Sequence, residues 1–162
     1  MKSVTADDIR TSFINASKGE AERVAIPRDL AERPWGDLDF LGWRDPGAPQ
    51  RTYIVTERDG VLVGVALRSA PGTPSRVGMC SLCLTTHPGD GVSLMTAHKT
   101  GDAGRKGDSV GTAICTDLAC SLYVRHRKRT MLGGRLNETI SVDEQIRRLR
   151  RNLLSFIASV QS

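Results

Sequence analysis

Hydrophobic and polar positions along the chain switch between two periods, and the switches delimit the predicted elements. Thr5-Ala6-Asp7-Asp8 has the form of a capping box, in which the Thr5 hydroxyl takes an orphan backbone N–H and Asp8 reaches back. Ile9, Phe13 and Ala16 follow at helical spacing, which predicts a helix from about Ala6 to Ser17, ended near Gly19. Pro27 opens a short second helix through Leu30 and Ala31, stopped by Pro34. Arg51 to Glu57 and Val61 to Arg68 read as strands joined by the turn Arg58-Asp59-Gly60. Val61, Val63, Val65 and Leu67 fall on one face of the second strand, the face expected to be buried. Further strands are predicted at Val92–His98 and Val110–Ile114, around a Gly-rich polar loop at Gly101–Asp108. A helical stretch runs from Leu118 to about Met131, ended by Gly133-Gly134. Ser141-Val142-Asp143-Glu144 is a second capping box and opens a helix to about Val160, with Val142, Ile146, Leu149, Leu153, Phe156 and Val160 on one stripe.

Between these elements, Trp35 to Trp43 is dense in large apolar groups and holds three of the seven aromatic residues. Two roles fit it: a core anchor or a partner-binding hot spot. Asp45-Pro46-Gly47-Ala48-Pro49 and the loop Ala70–Ser75 are breaks. Helices mixed with strands joined by short turns give an α+β class: antiparallel hairpins with helices packed on them. At 162 residues the chain has room for a buried core. Its longest apolar run, Val61 to Leu67, falls far short of a membrane span, and no signal core opens the sequence, so a cytoplasmic location without a membrane partner is expected.

Charge adds an asymmetry. The net charge is +5, and residues 121–162 carry nine basic against three acidic side chains. Arg125, Arg127, Lys128 and Arg129 follow Tyr123 closely, and Arg147, Arg148, Arg150 and Arg151 crowd the middle of the last helix. Such clusters favour acidic protein faces or nucleic-acid phosphate; the alternative is a solvated helix face.

The cysteines carry the chemistry. Cys80-Ser81-Leu82-Cys83 and Cys115-Thr116-Asp117-Leu118-Ala119-Cys120 use all four cysteines of the chain. Two such pairs complete a tetrahedral thiolate shell, for which Zn²⁺ is the default ion. A two-ligand turn, a hairpin, and two further ligands at a helix start is the order of a treble-clef zinc finger. A thioredoxin-like redox pair lacks its strand–helix context and leaves the second pair unexplained; four unrelated buried thiols is the bland alternative. Four cysteines fill the shell, so the zinc is expected to be structural rather than catalytic. His87 and His98 lie between the pairs and are expected as surface or hairpin residues. No phosphate-binding Gly-rich loop, nucleophile elbow or deaminase His-x-Glu is present, so no enzyme is expected. A zinc-dependent hydrolase would require an open coordination position.

Trp35-Gly36-Asp37-Leu38-Asp39-Phe40-Leu41-Gly42-Trp43-Arg44-Asp45-Pro46, Tyr53-Ile54-Val55, Gly64-Val65-Ala66-Leu67-Arg68, Met79-Cys80-Ser81-Leu82-Cys83 and Gly111-Thr112-Ala113-Ile114-Cys115-Thr116-Asp117-Leu118-Ala119-Cys120-Ser121 together resemble the FBP family, the FusB-type elongation factor G-binding group with a C-terminal treble-clef zinc finger. The likeness spans about residues 5 to 160. It implies a zinc-binding adaptor that binds elongation factor G on or near the ribosome and promotes its release, including from complexes trapped by fusidic acid. By motif position Cys80, Cys83, Cys115 and Cys120 carry over as zinc ligands. The family's factor-binding surface lies in the zinc-finger domain, and here the candidate contacts are Tyr123, Arg125, Arg127, Lys128, Arg129, Arg147, Arg151 and Phe156, with rRNA phosphate as a further partner for the basic run. Tyr123 is equally a core candidate. The implied organisation is a single FBP-type domain over 1–162: a helix and β-hairpin portion (1–75), a treble-clef portion (76–132) and a C-terminal helix (141–160). The helical bundle that precedes this domain in FusB proteins is expected to be missing. The alternative function is a zinc-finger protein that binds RNA or DNA without the factor.

Overall fold

The computed structural model describes residues 1–70, 77–131 and 138–162. Two antiparallel hairpins, β1 (Phe40–Asp45) with β2 (Ala48–Arg58) and β2 with β3 (Val61–Ser69), start a five-stranded sheet in the order β1-β2-β3-β6-β7. A second, two-stranded ribbon pairs β4 (Gly78–Met79) with β5 (Thr86–His87), and β6 (Val92–His98) pairs β7 (Ser109–Cys115). The main sheet thus takes β1–β3 from before residue 75 and β6 and β7 from after it.

The opening helix is shorter than its pattern predicts. α1 (Ala6–Ser12) has the Thr5/Asp8 capping box, then stops because Phe13 turns extended and bridges to Gly64. Ile14 donates its N–H to the Gly64 carbonyl at 2.9 Å. Ser17 then caps a separate α2 (Lys18–Glu22), with Glu20 closing the box. The break has a tertiary cause: β3 meets β6 only at Arg68 and Ser69, leaving a gap in the sheet. Asn15 fills it. Its side chain exchanges two hydrogen bonds with the backbone of Ala66 on β3, at 2.8 and 2.9 Å, and donates to the His98 carbonyl on β6. Gly64 permits the approach, since a Cβ there would lie 2.4 Å from Ser12 Oγ.

Other expectations shift in the same way. The segment from Pro27 forms only tight turns at Leu30–Glu32 and Trp35–Asp37. The Asp45–Pro49 break is a hairpin turn, with β2 already begun at Ala48. On β3, Val63, Val65 and Leu67 are buried as expected, but Val61 is 64% exposed at the hairpin tip. A short helix, α3 (Gly101–Arg105), occupies the Gly-rich loop. The helix from Leu118 to Met131 contracts to α4 (Cys120–Val124). His126 adopts φ +56°, which a helix cannot continue. Residues 71–75 of the expected loop and Gly133-Gly134 lie outside the described residues.

α5 (Val142–Gln161) has its Ser141/Glu144 capping box and buries Leu149, Leu153, Phe156, Ile157 and Val160 against one face of the sheet. Each such side chain contributes about 1.5–3 kcal/mol on burial. Val142 remains exposed at the helix start. The opposite face of β1–β3 packs Leu41, Trp43, Tyr53 and Val55 against Ile9, Val24 and Leu38. The aromatic-rich stretch is thus a core anchor: Phe40 enters one core, and Leu41 and Trp43 the other. None of the helices among the described residues is long and apolar enough to cross a membrane.

A buried carboxylate ties the layers together. Asp39, with its side chain fully inaccessible, receives Arg125 through two guanidinium nitrogens at 2.6 and 3.1 Å and Arg150 Nε at 2.8 Å. It therefore links the entry to β1 with α4 and α5. The pairing also lifts the Arg125 pKa, through the direct hydrogen bond to the carboxylate.

Candidate metal centre

Two short turns deliver the four cysteines. The β4–β5 ribbon carries the first pair, and its turn is closed by Leu84 N–H to the Cys80 carbonyl and Cys80 N–H to the Thr85 carbonyl, both 2.9 Å. The second turn leaves β7 and is closed by Leu118 N–H to the Cys115 carbonyl at 2.8 Å. Both turns contain a leucine in the left-handed region, Leu84 at φ +59° and Leu118 at φ +57°. This conformation is unusual for a non-glycine residue: Leu118, between Cys115 and Cys120, turns the second loop back toward its first cysteine, and Leu84, just after Cys83, turns the chain into β5. The turns are docked on one another and on the fold. Ser81 donates to the Ala113 carbonyl of β7 at 2.7 Å, and Asn152 of α5 donates to the carbonyls of Ser81 and Leu82. Gly42 of β1 passes so close to the second turn that a Cβ would sit 2.7 Å from Leu118 Cβ.

The result is a closed four-sulfur cluster. Cys80, Cys83, Cys115 and Cys120 are all buried, with their sulfurs within 4.8 Å of one another. Cys80 Sγ lies 3.6 Å from Cys120 Sγ, and Cys83 Sγ 3.5 Å from Cys115 Sγ. A tetrahedron with Zn–S bonds of about 2.3 Å places its sulfurs roughly 3.8 Å apart, so the cluster fits one zinc ion. The metal is structural: four thiolates occupy every position of the shell. The four buried thiols perturb one another strongly. The Cys80 thiol is pushed far down because the thiols of Cys115, Cys120 and Cys83 surround it as donors, while Cys120, facing the same neighbours, is pushed far up. A dication removes that conflict by favouring four thiolates together.

Groups around the sulfurs complete the site. Leu82 donates its N–H to Cys80 Sγ at 3.4 Å, and Thr85 Oγ1 lies 3.2 Å from Cys83 Sγ. His87 lies on the β4–β5 hairpin but is buried, and its Nε2 is 3.2 Å from Cys115 Sγ. Burial lowers its pKa, which favours a neutral imidazole able to donate Nε2–H to a ligand thiolate. Its position four residues after Cys83 is the only sequence signal for this role. His98 is exposed on β6 and takes no part.

The candidate contact residues do not form one patch. Tyr123 is core: it stands edge-on to His87 and donates its hydroxyl to Asp117 at 2.6 Å. Phe156 is also core, on the inner face of α5, and Arg125 is committed to Asp39. Arg127, Lys128 and Arg129 lie beyond the end of α4 rather than on a helix. Arg127 stands 3.6 Å from Asp37, Lys128 pairs with Asp117 at 2.8 Å, and Arg129 is exposed. Arg147 and Arg151 are exposed one turn apart on α5. Asp117, which burial would push up, is instead held below the usual carboxylate range by Lys128, the Tyr123 hydroxyl and the Ala119 N–H.

Comparison with known proteins agrees with this geometry. No curated protein matches the chain. Among solved structures, that of the fusidic acid resistance protein FusC is similar, with a TM-score of 0.53 at 19% identity over 88% of this chain. The chain spans 57% of FusC's length, and at that identity the likeness concerns the fold. The FBP C-terminal treble-clef zinc-finger family matches residues 8–160, nearly the whole chain, including both cysteine turns and the sheet that supports them. The chain belongs to the FBP C-terminal treble-clef zinc-finger family.

Proposed function

We propose that this protein is a zinc-stapled adaptor, not an enzyme, that binds elongation factor G and promotes its release from the ribosome. The observation that carries the reading is the closed four-sulfur shell within an FBP-type fold. Such a metal has no position left for water or substrate, and its role is to hold a binding surface rigid. The name of FusC as a fusidic acid resistance protein supports the same direction, and protection from that drug is the finer part of the proposal. A cytoplasmic location follows from the same role.

The test is capture from cell extract by the tagged, zinc-loaded protein, with and without ribonuclease. Retention of elongation factor G in both arms is the expected result. Retention of RNA alone, or loss of all capture after ribonuclease, would instead favour the nucleic-acid reading. A nucleic-acid interface would also weaken steeply with salt.

A further inference from the structure

An open groove of about 850 Å³ lies beside the second cysteine turn, between it and the segment that precedes β1. Its accessible apolar floor comes from Pro27, Pro46 and Met131, over the buried Trp43 and Leu118. Its charges are unbalanced. Arg28, Arg33, Arg44, Lys128 and Arg129 line it, against Asp29, Asp90 and Asp117. Two of these acids are already engaged, Asp29 by Arg33 and Asp117 by Lys128. Arg44 is held by the carbonyls of Thr116 and Pro49 and, at 3.4 Å, by the Ser69 hydroxyl. Its hydrogen-bond partners are thus all neutral, and the carboxylate that acts on it through space, Asp117, is already shared with Lys128. Among the described residues Arg28 and Arg129 make no ion pair.

A second observation is independent of charge. Thr130, only 9% exposed, lines the same groove, and its Oγ1 has no hydrogen-bond partner among the described residues. The Nε of Arg33 is likewise buried and unpartnered. Buried polar atoms are seldom left unpaired, and these two, covered in the free protein, gain acceptors when a docked segment shifts the side chains at the groove.

We propose that this groove docks an acidic polypeptide segment of the partner, with carboxylates reaching Arg28, Arg129, Arg33 Nε and the Thr130 hydroxyl, and an apolar side chain on the floor. The inference rests on the adaptor reading and adds the surface and the chemistry it selects. A polypeptide fits better than a nucleic acid. The two large aromatic rings of the groove, Trp43 and Tyr123, are buried and offer no face for base stacking. Met131, 93% exposed at the same groove, supplies an adaptable apolar contact for a side chain.

The experiment measures the affinity of purified elongation factor G for zinc-loaded protein at fixed salt. Four proteins are compared: the unaltered chain, Arg28→Glu/Arg129→Glu, Thr130→Val, and a control outside the groove, Lys2→Glu/Lys18→Glu, at two exposed residues. Charge reversal in the groove is expected to weaken binding about tenfold or more, mainly through slower association. Thr130→Val is expected to leave the melting temperature unchanged or raised while binding weakens, because its hydroxyl has no partner among the described residues. The control is expected to stay within about twofold, as rim charges outside an interface contribute little. If the unaltered chain binds the factor and both groove variants match it, the inference is overturned while the adaptor reading stands. If the unaltered chain does not bind the factor, both fall. If the groove variants lose only binding to a labelled RNA hairpin, the groove is a nucleic-acid surface and the inference is again overturned.

Discussion

His87 Nε2 lies 3.2 Å from the sulfur of Cys115, inside a pocket that also seats the ring edge-on to Tyr123. A tetrathiolate zinc centre carries a net negative charge, and donors to its sulfurs spread that charge. Replacing His87 by Phe removes the donor and is expected to weaken zinc binding about 10–100-fold. His87→Gln, which can still donate, should recover part of the loss. Competition with a chromophoric chelator measures both, and equal affinities in all three proteins would deny His87 its role.

Two glycines are fixed by neighbours rather than by turns. A methyl at Gly64 would meet Ser12 Oγ at 2.4 Å and the Phe13 ring at 3.1 Å, and one at Gly42 would meet Leu118 Cβ at 2.7 Å. Gly64→Ala and Gly42→Ala are each expected to cost about 1–3 kcal/mol, since neither site has room for even a methyl. Urea unfolding reads the loss. Gly42→Ala should also loosen zinc, because it presses on the second cysteine turn, while Gly64→Ala should not.

Those contacts explain what could and could not be read from the sequence. Capping boxes at Thr5/Asp8 and Ser141/Glu144 are local chemistry, and both open helices where expected. β6 keeps a clean alternation and occupies its expected residues, Val92–His98. The cysteines were legible because spacing alone constrains a tetrahedral shell. The break at Phe13 was not, since its cause is a gap between β3 and β6 that Asn15 fills from 51 residues away in sequence. β1 was hidden because Phe40 and Leu41 serve cores on opposite faces, which erases alternation. The basic run after α4 has good helix formers, yet Lys128 is drawn back to Asp117 and the chain turns at His126.

Asp39 is buried between two arginines of unequal exposure. Arg125 is largely covered and Arg150 more than half exposed. Arg125→Met is expected to destabilise by about 3–5 kcal/mol, because it strips the main partner from a buried carboxylate. Arg150→Met should cost about 1 kcal/mol or less, the scale of an exposed pair. Equal effects in thermal or urea unfolding would contradict this division.

The helix caps set an acid limit. The Glu144 carboxylate accepts the Ser141 backbone N–H at 2.8 Å while the Glu144 N–H donates to Ser141 Oγ; the backbone hydrogen bond first, and the nearby Ser141 side chain second, hold its carboxyl below the usual range. A lowered folded-state pKa means that its contribution is complete above the ordinary glutamate value of about 4.3 and is lost as pH falls through the folded value. Glu144→Gln should therefore flatten the stability profile between those two points, with no change near neutral pH in its slope. Amide exchange in the first turn of α5 as a function of pH checks the sign.

The most direct test of the account is the metal content of the protein purified without chelators, measured together with that of Cys83→Ser and Cys115→Ser. One zinc per chain is predicted for the unaltered protein, with loss of zinc, a lower melting temperature and faster amide exchange across residues 80–130 in both variants. A native protein without bound metal, or variants that keep both zinc and melting temperature, would contradict it.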